Sequence, residues 1–566
     1  MPDIVDIIFK GSVAELQREL DSGIDIEALD KYGFTLLVET ILASKLEMSA
    51  LLLTAGAQVD HADYTGKTPL HWAVDRNNYT ICKLLLEHGA NPAGYSLDSQ
   101  PIMLNAVMRD NKKLVTLLVK HGADLDFVTN YISAKLVGHR FALAGTVDIL
   151  NPKGKLIELK YEGFYLEFTV ELLRQSLEKF VLGVPKAQTG MFAMYIKKIL
   201  RALHYGSDLM EYKYAETAST NKTAIYNIFK EDLQLIPVSY AGHAITLVKY
   251  GNLLVKCDRG VNKLTDTIII YKITNPYIFT SEFIWDLLYS KRSPTEKFIN
   301  IEMKVELGLQ PVATLPVQSQ VSGNCSWANV EAAIPAMLLL LSFPRALHDK
   351  RAVSTAKRKV MSFYKAWVAW DKERMFTWSL EEFFAANQIR KISHAQLLCS
   401  ILVQRCDYHN GIELNRAKRI LPLLTLPRYQ FILQSYIKIY CHTRLGKISK
   451  VGKNFNNILQ EFGLSFSNLN LTYPLHLAAI MGDLGMVQYL LEEALTTCDV
   501  NEKDYSGSTP LMYATSKGHF PVVQYLIDRH QADLNIKNHK GATALGYAQH
   551  GGYKEVTQYL VTYQNQ

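Results

Sequence analysis

The sequence predicts an α+β core with a helical extension, set between two arrays of short helical repeats. Three observations lead to it. Glycines recur at a constant spacing of 33 residues near the N-terminus, as Gly23, Gly56, Gly89 and Gly122. A strand-turn-strand pattern runs over 242–260, GHAITLVKYGNLLVKCDRG. An apolar helix opens at a cysteine in Ser322-Gly323-Asn324-Cys325-Ser326-Trp327-Ala328-Asn329. The expected boundaries are 1–127 for the first repeats, 128–343 for the α+β domain, 344–465 for the helical extension and 466–566 for the second repeats.

Taken in order, the N-terminal glycines each close a helix, as in LLLTAGAQVD, LLLEHGANPA and LLVKHGADLD. In step with them, Gly66-Lys67-Thr68-Pro69-Leu70-His71-Trp72-Ala73 falls one period after Gly33-Phe34-Thr35-Leu36-Leu37. Thr68-Pro69 starts a helix, Gly89 ends the unit in a left-handed conformation, and Leu84-Leu85-Leu86 packs on the next unit. The unit resembles the ankyrin repeat, whose TPLHxA turn and HGA helix end recur at this period. That resemblance implies a concave protein-binding surface, with His71 and Trp72 as structural residues.

From about Asp126 the helical period stops. The pattern over 141–161 predicts a hairpin about the turn Asn151-Pro152-Lys153-Gly154. Helices follow near 176–182 and 191–205, then a strand over 233–239 and a further one over 267–273. Within 242–260 the tight turn at Tyr250-Gly251-Asn252 brings His243, opening one strand, beside Asp258, closing the other. Cys325 stands at the start of the apolar helix. A thiol there gains thiolate character from the helix dipole, and a neighbouring imidazolium lowers its pKa further. Cys325, His243 and Asp258 thus supply a nucleophile, a base and an orienter. His243 by itself would read as a core residue of an apolar strand, and Cys257 beside Asp258 has no such role. The conjunction carries the reading. A competing set, Cys325 with His394 and Asp407, rests on a segment around His394 that looks helical.

His243-Ala244-Ile245-Thr246-Leu247-Val248-Lys249-Tyr250-Gly251-Asn252 resembles the histidine strand of papain-like cysteine peptidases, and Gly323-Asn324-Cys325-Ser326-Trp327-Ala328 resembles their nucleophile segment. The resemblance covers 242–329 and implies a Cys325-His243-Asp258 site in a papain-like fold. It also implies an oxyanion-hole glutamine upstream of the cysteine. Gln318 and Gln320 lie in that neighbourhood, neither at the customary spacing, and the choice between them stays open. The chain order His, Asp, Cys departs from the usual Cys, His, Asn/Asp. A circular permutation reconciles the two, because geometry defines the constellation and not chain position. Peptide or isopeptide hydrolysis is the reaction implied; transamidation, deamidation and acyl transfer share its first half.

The region over 344–462 reads as helical. Lys350-Arg351 and Lys357-Arg358-Lys359, followed by Phe363, Tyr364, Trp367, Trp370 and Trp378, fit an amphipathic helix with a solvated basic face better than a single-strand nucleic-acid platform. LGKISKVGKNFNN reads as a loop or linker, with the wrong glycine spacing for a phosphate-binding loop. Beyond it, Tyr473-Pro474-Leu475-His476-Leu477-Ala478, Thr509-Pro510-Leu511-Met512-Tyr513-Ala514 and Ala542-Thr543-Ala544-Leu545-Gly546-Tyr547-Ala548 open three more units that resemble ankyrin repeats. Asn501 and Asn535 occupy their turns and are expected to hydrogen-bond those same turns.

Composition bounds the rest. At 566 residues the length suits roughly three to five domains, and 48% hydrophobic with 20% charged residues suits a folded globular chain. A formal charge of +7 and a pI of 8.7 are small for this length, so no nucleic-acid partner is expected. Seven scattered cysteines without paired metal-ligand spacing indicate a reduced environment and no metal or cofactor. The first residues carry acids where a signal peptide carries bases. The most apolar run, 332–343, is too short to span a bilayer and contains Pro335, so a soluble chain without a transmembrane segment is expected. Oligomeric state is not encoded.

Ankyrin arrays around a papain-like core resemble the ankyrin-repeat effectors that intracellular bacteria such as Legionella inject into host cells. The resemblance implies type IV secretion without a cleaved signal, and action in the host cytoplasm or nucleus on a host protein brought by the repeats. The alternative is a non-catalytic scaffold that redirects a host protein and keeps an inactive protease-like core.

Overall fold

The computed structural model describes residues 4–564, apart from 216, 241, 261–267, 291–293, 319–322, 345–346, 348, 444, 467–468, 470–472, 494–497 and 505. The chain divides into two compact units, Met1–Met375 and Phe376–Gln566.

The first unit opens with helix pairs such as Leu36–Leu42 with Leu46–Thr54 and Pro69–Asp75 with Tyr79–Glu87. Gly56, Gly89 and Gly122 close their units at φ of 99°, 87° and 106°, backbone that side chains with a Cβ rarely adopt. His71 is a capping residue: the Thr68 N–H donates to its Nδ1 at 2.9 Å, and burial holds its pKa down at about 3.

Helix α1 follows, Leu125–Phe141. This corrects the expectation that the helical period ends near Asp126. Phe127, Tyr131, Lys135, Arg140 and Phe141 are all buried, so the helix is covered on several faces and shows no clean apolar stripe. Because α1 runs to Phe141, the predicted hairpin starts later, with β1 (Thr146–Leu150) and β2 (Leu156–Lys160) paired antiparallel. The Asn151 side chain accepts the N–H groups of Lys153 and Lys155 and so closes the turn between them.

Helices α2 (Leu166–Gly183) and α3 (Ala193–Tyr214) pack on each other. A five-stranded antiparallel sheet then runs in sequence order: β3 (Leu233–Tyr240), β4 (His243–Tyr250), β5 (Leu253–Cys257), β6 (Ile268–Ile273) and β7 (Leu309–Leu315). Thr267, expected at the start of β6, lies outside the described residues. The β4–β5 loop is the two-residue Gly251-Asn252, with Tyr250 opposite Leu253. Helix α3 packs on β3, where Gly206 meets Leu235 too closely for any side chain.

Helix α4 (Cys325–Ser342) packs against β4 and β5, with every residue from Ser326 to Leu341 buried. Among the described residues it is the one helix long and apolar enough to cross a membrane, and 89% of it is buried inside the fold. The basic and aromatic stretch forms helix α5, Lys350–Ala385, which carries Trp367 into the core.

The second unit is helical. Lys450–Gln460 is a helix capped by Ser449, which corrects the linker reading of LGKISKVGKNFNN. Its Phe455, Ile458 and Leu459 are buried, and that spacing is helical. The C-terminal repeats begin at Pro474–Met481, Pro510–Ser516 and Ala544–His550. The Asn501 side chain, expected to bond its own turn, reaches the next repeat: its Oδ1 accepts the Asp533 N–H at 2.8 Å.

Candidate active site

The register Thr246↔Cys257 sets Asp258 opposite Ile245, so Asp258 and His243 share one face of the sheet as diagonal neighbours. Their side chains meet, with His243 Nε2 3.0 Å from Asp258 Oδ1. The other carboxylate oxygen lies 3.3 Å from Lys256 Nζ. With Nε2 engaged, Nδ1 is the ring nitrogen left for the thiol.

Cys325 is the first residue of α4 and is partly exposed. Burial pushes its thiol up. The hydrogen bond with His243, aided by the backbone N–H groups of Ala244 and Ser326, more than offsets that and leaves the pKa below the ordinary thiol value. The partner moves the other way: hydrogen bonds with Asp258 and then Cys325 raise His243 to about 9. Both shifts favour a thiolate-imidazolium pair at neutral pH. Cys257, fully buried beside Asp258, goes the opposite way, its thiol driven far up by burial.

Sequence reasoning missed the residue that aligns the three. Asn329, fully buried one turn beyond Cys325, donates from Nδ2 to the Ala244 carbonyl at 2.6 Å and accepts the Arg259 N–H on Oδ1 at 2.7 Å. It therefore clamps the cysteine helix to the residues that follow His243 and Asp258. A polar side chain four positions after the nucleophile, on a mostly apolar helix, was the available signal.

Arg259 strengthens the clamp. Its Nη1 donates to the Ala328 carbonyl at 3.2 Å and lies 3.3 Å from Glu331 Oε2. Its Nε donates at 2.7 Å to the carbonyl of Gln318. The Gln318 side chain is exposed. Gln320 lies outside the described residues. His394 sits in the second unit, buried on Gln388–Arg405, with its pKa lowered to about 4 by burial; the ring beside Cys325 is that of His243.

Helix α1 supports the nucleophile from below. His139 Nδ1–H donates to Asn324 Oδ1 at 2.5 Å and the ring stacks on Trp327. Burial holds His139 neutral, its pKa near 4. Arg140 pairs with Glu331 and Asp371, its guanidinium set between Trp327 and Trp367 at 5.0 and 5.2 Å. On the other side, the Gly163 N–H donates to the Gly323 carbonyl at 3.2 Å.

Cys325 and His243 open into a cavity of about 660 Å³. Its wall includes Gln100 and Leu104 of the fourth N-terminal repeat, the one closed by Gly122, and Tyr131 and Lys135 of α1. Buried polar contacts fasten that repeat to the α+β domain. Tyr165 OH donates to Gln100 Oε1 at 3.2 Å, Ser99 Oγ to the Glu158 carbonyl at 2.7 Å, and Arg109 to both Glu167 oxygens at 2.7 and 3.0 Å. The N-terminal array is part of the cavity and not only a flanking arm.

A family model for ankyrin repeats matches residues 7–95 and 449–538. Inversin of Homo sapiens is 42% identical over 62 residues, 11% of this chain and 6% of that protein. Palmitoyltransferase ZDHHC13 of Homo sapiens is 31% identical over 91 residues, 16% of this chain and 15% of that protein. The chain spans only these small parts of the two curated relatives. A solved structure of the Legionella effector AnkH is 35% identical, covering 82% of this chain and 98% of its own, with a TM-score of 0.69. At that identity and coverage, the chain belongs to the family of the Legionella effector AnkH.

Proposed function

We propose that the protein is a secreted effector with a papain-like, circularly permuted thiol-hydrolase site, acting inside the host cell, in cytoplasm or nucleus, on a protein bound by its ankyrin repeats. The observation that carries the reading is a single imidazole set between the Asp258 carboxylate at 3.0 Å and a helix-terminal thiol, with opposite pKa shifts on ring and thiol. Kinship with AnkH, a Legionella effector, supports the host-directed part.

His243 takes the Cys325 proton, and Asp258 holds the ring and stabilises the imidazolium. The thiolate attacks a carbonyl carbon. The oxyanion is held by the Cys325 N–H, with the side-chain amide of Gln318 or Gln320 as its second donor. The leaving group departs with the proton from His243, and an acyl-enzyme remains. Water, deprotonated by His243, attacks that thioester; the acid leaves and the thiolate is restored.

The test is the pH dependence of Cys325 alkylation by iodoacetamide in the intact protein, in His243→Ala, and in a Cys257→Ser control. Rapid labelling at pH 6–7 is expected, about 100-fold slower without His243, because the free-thiol pKa of about 8.5 then returns. Slow labelling indifferent to His243 would overturn the enzyme reading and favour the scaffold.

A further inference from the structure

Lys135 is a buried cation that the mechanism does not use. It projects from α1, is 4% exposed, and lines the cavity that holds Cys325 and His243. Two of its three donors are occupied: Nζ donates to the carbonyls of Glu162 and Gly163, the latter at 3.0 Å. Neither acceptor carries charge, and among the described residues no carboxylate forms an ion pair with it.

The other charges around it do not neutralise it. Asp98 and Lys160 face each other at 3.8 Å at the rim, with side chains 81% and 69% exposed. The Glu162 side chain is exposed to solvent. Leaving an ammonium buried without a counter-ion is costly. Here burial lowers its pKa only to about 8, so it remains mostly charged at neutral pH. Tyr131 and Tyr214 line the same cavity, as does Tyr165, whose O–H already donates to Gln100. Burial raises the pKa of Tyr131 and Tyr214, so both hydroxyls stay protonated, that of Tyr214 in a hydrogen bond with Ser239. A desolvated ammonium with a third N–H that no carbonyl or carboxylate accepts among the described residues, its nearest aromatic neighbour the Tyr131 ring at 5.7 Å, suits an anionic acceptor.

We propose that the cavity contains a carboxylate subsite built on Lys135, so that the substrate of Cys325 presents a carboxylate inside the same cavity. This rests on the thiol-hydrolase reading. The carboxylate comes either from an acidic side chain or from the C-terminus of the substrate chain. Desolvation strengthens such a pair, and the polar link from Lys135 through Gly163 to Gly323 ties the subsite to the nucleophile segment.

Three chloroacetyl probes test it on the full chain: chloroacetyl-Glu-amide, chloroacetyl-Gln-amide, and chloroacetyl-Gln with a free terminal carboxylate. In each, the Cys325 thiolate displaces chloride and a C–S bond forms, and peptide mapping reads the rate at Cys325. One anionic probe should react at least about 10-fold faster than the neutral one. Preference for the Glu-amide probe assigns a side-chain carboxylate, and preference for the free-terminus probe assigns a chain end. Lys135→Met should bring the ratio near one, and Lys135→Arg should retain it. Equal rates in the wild-type protein, or a preference that survives Lys135→Met, would overturn the subsite and leave the nucleophile reading intact. Slow reaction with all three would overturn the nucleophile reading and the subsite together. Should Lys135→Met fail to fold, the wild-type and Lys135→Arg ratios decide.

Discussion

The two ankyrin arrays use one turn and put it to different ends. In both, a side chain at the turn gathers the backbone N–H groups around it. Asp63 Oδ1 accepts from Thr65 and Lys67, Asp504 Oδ1 from Ser506 and Ser508, and Asn538 Oδ1 from Lys540 and Ala542. In the C-terminal array the side chains of these turns bond within the repeats, as Tyr513 OH to Asp504 and Asn538 to Tyr547. In the N-terminal array the turn's carboxylate is lost one period after Asp63: Ser96 stands there, its Oγ accepting the Gln100 N–H at 3.3 Å, and Ser99 and Gln100 reach the α+β domain. Where the motif is kept, the repeat serves the scaffold. Where it is lost, the residues serve the neighbouring cavity.

The largest expected effect tests that contrast at its strongest contact. Arg109→Ala leaves Glu167 buried without its partner, the pair being 4% and 5% exposed. A loss of about 3–5 kcal/mol in the first unit follows, read as an earlier first transition in urea. Asn329→Ala separates the alignment of the site from the stability of the arrays. Losing two buried hydrogen bonds of about 1 kcal/mol each should slow Cys325 alkylation at pH 7 about 10-fold. The midpoint of its pH profile should rise, while Asn329→Asp, which keeps the acceptor for Arg259, should fall between. The smallest effect belongs to the C-terminal array. Tyr513→Phe removes one hydroxyl from Asp504 and should cost about 1 kcal/mol in the second unit without changing the Cys325 labelling rate.

Legibility followed the range of the interactions. The repeats, the hairpin carrying His243 and Asp258, and the helix starting at Cys325 are all set by neighbours within a few residues, and each left a pattern in the chain. Helix α1 did not. Lys135, His139 and Arg140 are buried against Glu162, Asn324 and Glu331, so polar residues occupy positions that an amphipathic pattern reserves for apolar ones. The helix Lys450–Gln460 was hidden by Gly452 and three asparagines, although its buried positions repeat at helical spacing. For Asn329 the sequence offered its place on the cysteine helix but not its partners, which lie 70 and 85 positions earlier.

The ties between α1 and α4 also bear on how the polypeptide reaches its final form as it leaves the ribosome. Arg140 meets Glu331 across 191 residues, and His139 meets Asn324 across 185. Closing loops of that length delays assembly until most of the first unit has been synthesised. Until then, Arg140 and His139 have neither their acceptors nor the Trp327 ring that covers them. The nascent chain thus carries an unfinished interior until α4, and then Trp367 and Asp371 of α5, emerge, and the thiol is created in the stretch that begins to close it. A fragment ending before Asn324 would expose that interior, so the boundary for expressing a stable N-terminal piece lies beyond α4.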